Sequence, residues 1–142
     1  MDTEWIRFDA VKGYQEEELE QAAQILRRGG LVAFPTETVY GLGGDGMQPE
    51  AAKRIYEAKG RPSDNPLILH ISSIDMLYDI ACEVRPLALT LAESFWPGPL
   101  TMIFPRKPNI PAETCGGLDT AAVRMPKNSF TLSLISECGF PL

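Results

Sequence analysis

Residues 31–43 read LVAFPTETVYGLG, and this stretch decides both the fold prediction and the search for a site. The apolar run before Pro35 is typical of a buried strand, and proline ends it because it lacks the N–H that a strand ladder needs. The hydrogen-bonding side chains that follow are Thr36, Glu37, Thr38 and Tyr40. A fold gains little from such groups at the end of a buried strand, whereas ligands of α/β folds bind there. The stretch therefore predicts a strand that leads into a binding site.

The residues of this segment support two interpretations equally well. In an extended backbone, Thr36, Thr38 and Tyr40 line one side and Glu37 lies on the other, as in the wall of a pocket. Threonine hydroxyls also stabilise turns by hydrogen bonding to the nearby backbone. The pattern alone does not choose between a pocket wall and a turn.

Working outward, the rest of the chain alternates between helical and strand patterns. The predicted helices cover residues 16–28, 49–58, 74–81, 129–138 and the stretch from Pro86 to about Trp96. The predicted strands cover residues 31–34, 67–71, 100–104 and 120–125. Ser72 and Asp75 are interpreted as a capping box, Gly139 as a helix C-cap, and residues 105–119 as a surface loop. This alternation predicts an α/β fold in which helices cover a sheet.

Composition and charge exclude several classes of protein. No apolar run approaches the ~20 residues that span a bilayer, and the acidic N-terminus does not resemble a secretory signal. Three widely spaced cysteines favour free thiols in a reducing cytoplasm over a disulfide framework or a zinc site. Residues 1–50 hold ten acidic and four basic side chains, so they account for the whole net charge of −6. The remaining residues can therefore present a locally basic surface.

Lys59 and Arg61 flank Gly60 in a basic turn. In an extended loop this spacing points both cations to one side, where Arg offers a two-pronged fork for phosphate and Lys a point charge. The pattern taken alone favours a solvated charged loop over an anion site.

Two further residues are candidates for a site. His70, the single histidine, lies at the end of an apolar strand, where its ring faces either the core or a cleft. Arg124 lies within an apolar strand, which is costly unless it binds an anion or forms a structural ion pair. No nucleophile–base pair can be assembled from the sequence, so an enzyme of this kind would act by positioning charged reactants.

Five motifs together resemble the YrdC-like family of threonylcarbamoyl-AMP synthases. They occur in the family's order: PTETVYGLG (35–43), KGRPSDNPL (59–67), His70, WPGPLT (96–101) and AVRMP (122–126). The resemblance implies a YrdC/RibB-like fold, a twisted mixed sheet flanked by helices with a concave cleft, over residues 1–142. It also implies a nucleotidyltransferase that makes threonylcarbamoyl-AMP and pyrophosphate from L-threonine, bicarbonate and ATP, with Mg²⁺.

The resemblance also assigns roles to residues. It places Lys59 and Arg61 at the ATP phosphates as nucleotide-binding and catalytic residues. It places the threonine and bicarbonate pocket at Thr36, Thr38, Tyr40, His70 and Arg124, and it implies no protein-bound metal. The implied partners are tRNA or double-stranded RNA and the machinery that transfers threonylcarbamoyl to tRNA in the cytoplasm.

One departure from the family and two alternatives accompany this interpretation. Family members continue beyond Leu142 into a Ser-x-Asn motif, so the domain is expected to be incomplete at its C-terminus. One alternative is a relative that forms carbamoyl-adenylate in hydrogenase maturation. The other is a module that binds double-stranded RNA or tRNA, which the acidic composition disfavours.

Overall fold

The computed structural model describes residues 2–9 and 11–142 and contains five helices and five strands. The helices are α1 (Glu16–Arg27), α2 (Pro49–Lys59), α3 (Ile74–Ile80), α4 (Pro86–Phe95) and α5 (Ser129–Cys138). The strands are β1 (Val32–Phe34), β2 (Gly41–Gly43), β3 (Ile68–His70), β4 (Met102–Pro105) and β5 (Thr120–Arg124). The α/β class and all five predicted helices are confirmed.

The strands form a two-stranded and a three-stranded sheet. β1 pairs antiparallel with β2, so that Phe34 lies opposite Gly41. In the larger sheet β5 lies at the centre, parallel to β3 and antiparallel to β4. The predicted mixed sheet is thus confirmed, and its parallel pair brings the ends of β3 and β5 to the same edge.

Two apolar clusters hold the elements together. One lies between the three-stranded sheet and helices α3 and α4, with Leu69, Ile80 and Val123 at its centre. The other joins α1 to α5 and to Phe34 at the end of β1, with Leu26 and Leu134 fully buried. The second cluster therefore fixes the point where the chain leaves β1 and enters the 35–40 segment.

Strand β2 was not predicted, because glycine has a low strand propensity and two of its three residues are glycines. Its place is fixed by packing instead. A Cβ on Gly43 would overlap the Phe34 ring of the paired strand, so a side chain is excluded there. The register of the β1–β2 pair and the size of the Phe34 ring explain why position 43 is glycine, although the sequence pattern predicts no strand there.

Two local predictions are wrong. The side chain that caps α3 is Ser73, which accepts a hydrogen bond from the Met76 N–H, and not Ser72. The connection between β4 and β5 is not a simple surface loop, because Ile110, Thr114 and Cys115 within it are buried. Arg106 holds this connection by donating to the carbonyl oxygens of Leu118 and Ile110.

None of the helices in residues 2–9 and 11–142 has the length and apolar composition that a membrane-spanning helix needs.

Candidate functional site

A cleft of about 210 Å³ lies between the β1–β2 pair, the end of α2 and strand β3. Three of the predicted site residues, Lys59, Arg61 and His70, line it. Glycines 41, 43, 44 and 46 form much of its remaining wall, so backbone is accessible to a ligand there. Thr36, Thr38, Tyr40 and Arg124 are not among the described residues that line this cleft.

The basic pair is presented by a helix terminus and not by the extended loop that the spacing suggested. Lys59 is the last residue of α2, and Gly60 has left-handed torsion angles of φ 60° and ψ 29°. The Arg61 N–H then donates to the carbonyl oxygen of Tyr56 at 3.0 Å, a bond that closes the helix end. The left-handed glycine turns the chain so that both cations nevertheless border the cleft.

The two cations differ in how firmly they are held. Arg61 is half-buried, and its guanidinium donates to the carbonyl oxygens of Asn65 at 3.2 Å and Pro66 at 2.6 Å. Lys59 is exposed. Neither forms an ion pair with a carboxylate anywhere in the described part of the chain. Their positive charge is therefore available to an anionic ligand.

The 36–40 segment is a turn and not an extended wall. The Thr36 hydroxyl bonds the carbonyl oxygen of Val39 at 2.5 Å and lies 3.0 Å from the Thr38 hydroxyl. It also accepts from the N–H groups of Thr38 and Val39, both at 3.2 Å. Tyr40 is 76% exposed. The predicted alternation of sides is thus replaced by a hydroxyl-stabilised turn, the other interpretation that the residues allowed.

His70 is half-buried at the end of β3, and its neighbours define its protonation. The ring packs edge-on against Phe34, with 5.6 Å between ring centroids. Its Nδ1 lies 3.2 Å from the carbonyl oxygen of Ile68, which can only accept, so Nδ1 carries the proton and Nε2 has a free lone pair. Burial lowers the pKa of His70 below its ordinary value, and the Arg124 charge acts in the same direction. The His70 ring is therefore neutral at physiological pH.

Arg124 lies beside His70, because these two residues are partners in the parallel register of β3 and β5. Its Nε donates to the Thr101 hydroxyl at 3.0 Å. Within residues 2–9 and 11–142, no carboxylate forms an ion pair with Arg124. The structural ion pair considered from the sequence is therefore not found in this part of the chain.

Three groups near these residues were given no role in the site from the sequence. Glu37 accepts a hydrogen bond from the Lys127 N–H at 2.9 Å, which ties the 36–40 turn to the segment after β5. Asp45 lines the cleft and accepts from the Met47 N–H, and burial raises its pKa. The Thr101 hydroxyl accepts a hydrogen bond from Nε of Arg124. Glu37 and Thr101 lie within motifs that the sequence already showed, and Asp45 lies between two glycines, but the contacts of Glu37 and Thr101 depend on the fold.

The last residues of the chain also contribute to the site. Leu142 lines the cleft and exchanges two backbone hydrogen bonds with His70, at 2.7 and 3.0 Å. The Gly46 N–H donates to the carbonyl oxygen of Pro141 at 2.8 Å. The free edge of β3 is thereby paired at His70, which fixes the backbone that carries the histidine ring.

The described residues do not form a metal cage. Within residues 2–9 and 11–142, no group of three or more His, Cys, Asp or Glu side chains could hold a metal ion. Asp45 is the carboxylate in the cleft lining, and it is already engaged by the Met47 N–H. These residues therefore do not fit a metal bound by the protein alone.

The fold and the cleft define an α/β domain that presents a neutral histidine and two cations without carboxylate partners among the described residues, beside a mixed sheet. The chain belongs to the Sua5/YciO/YrdC family, because residues 24–142 match the model of that family, which is described as telomere recombination. A threonylcarbamoyl-AMP synthase from Pyrococcus abyssi is 53% identical over 128 residues, which are 90% of this chain and 38% of the relative. The chain thus spans little more than a third of that relative's length.

Solved structures agree with this assignment. The P. abyssi Sua5 complexed with L-threonine is 51% identical, with a TM-score of 0.88, over 89% of this chain and 37% of that one. A full-length HypF in a phosphate- and nucleotide-bound form has a TM-score of 0.75 at 22% identity, over 87% of this chain and 19% of that one. The second likeness shows the shared fold alone.

Proposed function

We propose that this chain forms the site of a threonylcarbamoyl-AMP synthase, a nucleotidyltransferase that joins L-threonine, bicarbonate and ATP and releases pyrophosphate. The observation that carries the proposal is the pair Lys59 and Arg61, two cations without carboxylate partners in the described chain that border one cleft. The similarity to a synthase and to a threonine-bound structure supports the choice of reaction.

Lys59 and Arg61 are assigned to the phosphates of ATP. Charge on the transferring phosphoryl group is stabilised by cations that are already in place, and this needs no protein nucleophile. Arg61 is positioned by its bonds to Asn65 and Pro66, so little of its side-chain freedom is lost on binding. The exposed Lys59 adds a mobile charge at the cleft entrance.

The amino acid is assigned to the neighbouring turn and strand ends. Arg124 pairs with the carboxylate of L-threonine, because a guanidinium binds a carboxylate through two parallel hydrogen bonds. Thr38 and Tyr40 provide hydroxyls, Thr36 contributes by holding the turn through its own hydrogen bonds, and the free Nε2 of His70 accepts a hydrogen bond from the ligand. The amino group displaces water from bicarbonate and forms a carbamate, whose carboxylate oxygen then attacks the α-phosphorus of ATP as pyrophosphate leaves.

Mg²⁺ enters this proposal only as an ion carried by ATP. The described residues offer no metal cage, so the phosphates of the nucleotide would supply its ligands. We assign no step to the ion.

The product is proposed to feed the threonylcarbamoyl modification of tRNA in the cytoplasm, through a separate transferase. The net charge of −6 supports a small-molecule substrate over direct binding of an RNA duplex.

Pyrophosphate release tests this function. The chain is incubated with Mg·ATP and bicarbonate, with and without L-threonine, and pyrophosphate is measured. We expect release that requires both L-threonine and bicarbonate. Release that requires carbamoyl phosphate instead would indicate the carbamoyl-adenylate reaction. Salt-sensitive tRNA binding without any release would indicate the RNA-binding alternative.

A further inference from the structure

Glu37 carries a carboxylate oxygen that is buried without a hydrogen-bond partner. Its Oε2 accepts from the Lys127 N–H at 2.9 Å, whereas Oε1 has no donor. Within the described chain, Oε1 is the sole buried side-chain nitrogen or oxygen in this condition. A buried carboxylate oxygen without a hydrogen-bond donor is costly. A bound ligand could supply the donor that Oε1 lacks.

The backbone around Glu37 holds this oxygen in place. The Thr131 hydroxyl in α5 donates to the carbonyl oxygen of Pro35, and Thr36 ties the turn to Val39. Glu37 itself bridges to Lys127 across 90 residues of sequence. The backbone that carries Glu37 is therefore held on both sides, and the carboxylate itself is held by its bond to the Lys127 N–H.

The opposite charge in this region is also unpaired. Arg124 has no carboxylate partner in the described residues, and its position beside His70 is set by the β3–β5 register. Glu37 accepts its hydrogen bond from the Lys127 N–H, three residues after Arg124 at the end of β5, so both charged groups lie near the same strand end. They do not pair with each other. A cation and an anion that lie near the same strand end without pairing to each other are complementary to a zwitterion.

We propose that Oε1 of Glu37 accepts a hydrogen bond from the α-amino group of the L-threonine whose carboxylate is bound by Arg124. This inference rests on the proposed function, and it adds a group that selects free α-amino acids. The ligand nitrogen retains one N–H after it becomes a carbamate, so the same contact continues through the first step. Glu37 is thus a substrate-binding residue that fixes the orientation of the nitrogen.

Glu37→Gln tests the proposal with little disturbance of the turn. The glutamine carbonyl oxygen still accepts the Lys127 N–H, while the amide NH₂ replaces Oε1 and presents donors to the ligand nitrogen. Glu37→Ala is the comparison variant, because it removes both the bridge and the buried oxygen. Thermal melting separates them. Glu37→Gln should melt close to wild type, and Glu37→Ala should melt lower.

The affinities of two ligands, measured in the presence of Mg·ATP, then show how much the amino group contributes to binding. L-threonine is compared with (R)-3-hydroxybutyrate, which keeps the carboxylate and the hydroxyl but lacks the amino group. We expect wild type to prefer L-threonine, and Glu37→Gln to lose at least tenfold in L-threonine affinity with no change for the analogue.

Two results would overturn the inference while leaving the proposed function intact. One is wild-type affinity of Glu37→Gln for L-threonine. The other is an equal loss for both ligands, which would indicate only a displaced turn. If wild type binds neither L-threonine nor ATP, the proposed function itself is contradicted, and this inference falls with it.

Discussion

The hydroxyl of Thr131, in the first turn of α5, donates a hydrogen bond to the carbonyl oxygen of Pro35, 96 residues earlier in the chain. Thr131 is fully buried, and α5 packs on α1 in the second apolar cluster. The start of the 35–40 turn is therefore attached to the interior of the protein and not only to its own local hydrogen bonds.

Replacing Thr131 with valine should weaken this attachment. Valine has a similar shape but no hydroxyl, so the carbonyl oxygen of Pro35 would be left without its donor at a cost of about 1–3 kcal/mol. Chemical denaturation should show this loss in the free energy of unfolding, and L-threonine affinity should fall as the turn loosens. Thr131→Ser keeps the hydroxyl and is the control. Equal free energies of unfolding for the valine and serine variants would contradict the role assigned to the bond.

Lys59 and Arg61 should respond differently to alanine substitution. Lys59 is exposed and makes no ion pair in the described chain, so Lys59→Ala should change stability by less than about 0.5 kcal/mol. Its effect should appear in ATP affinity, with a loss of about tenfold or more, because hydrogen bonds to charged groups contribute about 1.5–3 kcal/mol. Arg61→Ala should lower both ATP affinity and stability, since it also removes the bonds to Asn65 and Pro66.

Lys53→Ala is the matched control for this pair. Lys53 lies on the same helix, is exposed, and is paired with Glu50 at 2.8 Å outside the cleft lining. The ATP affinity of the Lys53→Ala variant, measured by calorimetry, should equal that of wild type. An equal loss in the Lys53 and Lys59 variants would indicate a general charge effect and contradict a specific phosphate site.

Gly60 should be sensitive to a Cβ for reasons of backbone conformation. Its φ of 60° is in the left-handed region, and no atom lies within 4 Å of the position that a Cβ would take. Gly60→Ala should therefore destabilise the protein by about 1 kcal/mol through strain alone. Gly60→Asn should be milder, because asparagine tolerates this conformation. Thermal melting should give the highest midpoint for wild type, a lower one for Gly60→Asn and the lowest for Gly60→Ala. A Gly60→Ala variant as stable as wild type would contradict this prediction.

The single histidine predicts a pH dependence of stability. Burial lowers the pKa of His70 below its ordinary 6.5, an effect that Arg124 strengthens while the Ile68 carbonyl and Glu37 oppose it. The unfolded chain therefore takes up a proton near pH 6.5, where the folded protein does not. Stability should be greatest above pH 6.5 and should fall as pH decreases from there, by at most about 1.4 kcal/mol per unit.

His70→Asn is the control for this titration, because its amide can still donate to the Ile68 carbonyl oxygen but does not titrate. Its free energy of unfolding should change less between pH 6.5 and 5 than that of wild type. Parallel curves for the two proteins would show that another group causes the loss.

Much of the fold followed from local sequence patterns. The first three helices were predicted from apolar faces at helical spacing and the fourth from Pro86 at its start, and Gly139 ends α5 in a left-handed conformation as expected. Strand β2 could not be predicted, because two of its residues are glycines and the one at position 43 is required by the ring of Phe34 on the neighbouring strand. The buried β4–β5 connection depends on the same kind of distant packing.

The candidate site was predicted less completely. Lys59, Arg61 and His70 border one cleft, although the extended loop expected for the basic pair is in fact a helix end with a left-handed glycine. The contacts of Glu37 with Lys127 and of Arg124 with Thr101 join segments 90 and 23 residues apart. No local pattern encodes such contacts, because they arise only when the strands pair.

Formation of the product itself tests the central claim most directly. The chain is given Mg·ATP, isotopically labelled bicarbonate and L-threonine, and the adenylate is identified by mass spectrometry while pyrophosphate is counted. We predict threonylcarbamoyl-AMP that contains the label, in an amount equal to the pyrophosphate, and a sharp loss of both in Lys59→Ala but not in Lys53→Ala. Absence of labelled product, or pyrophosphate release that is independent of L-threonine, would contradict the account.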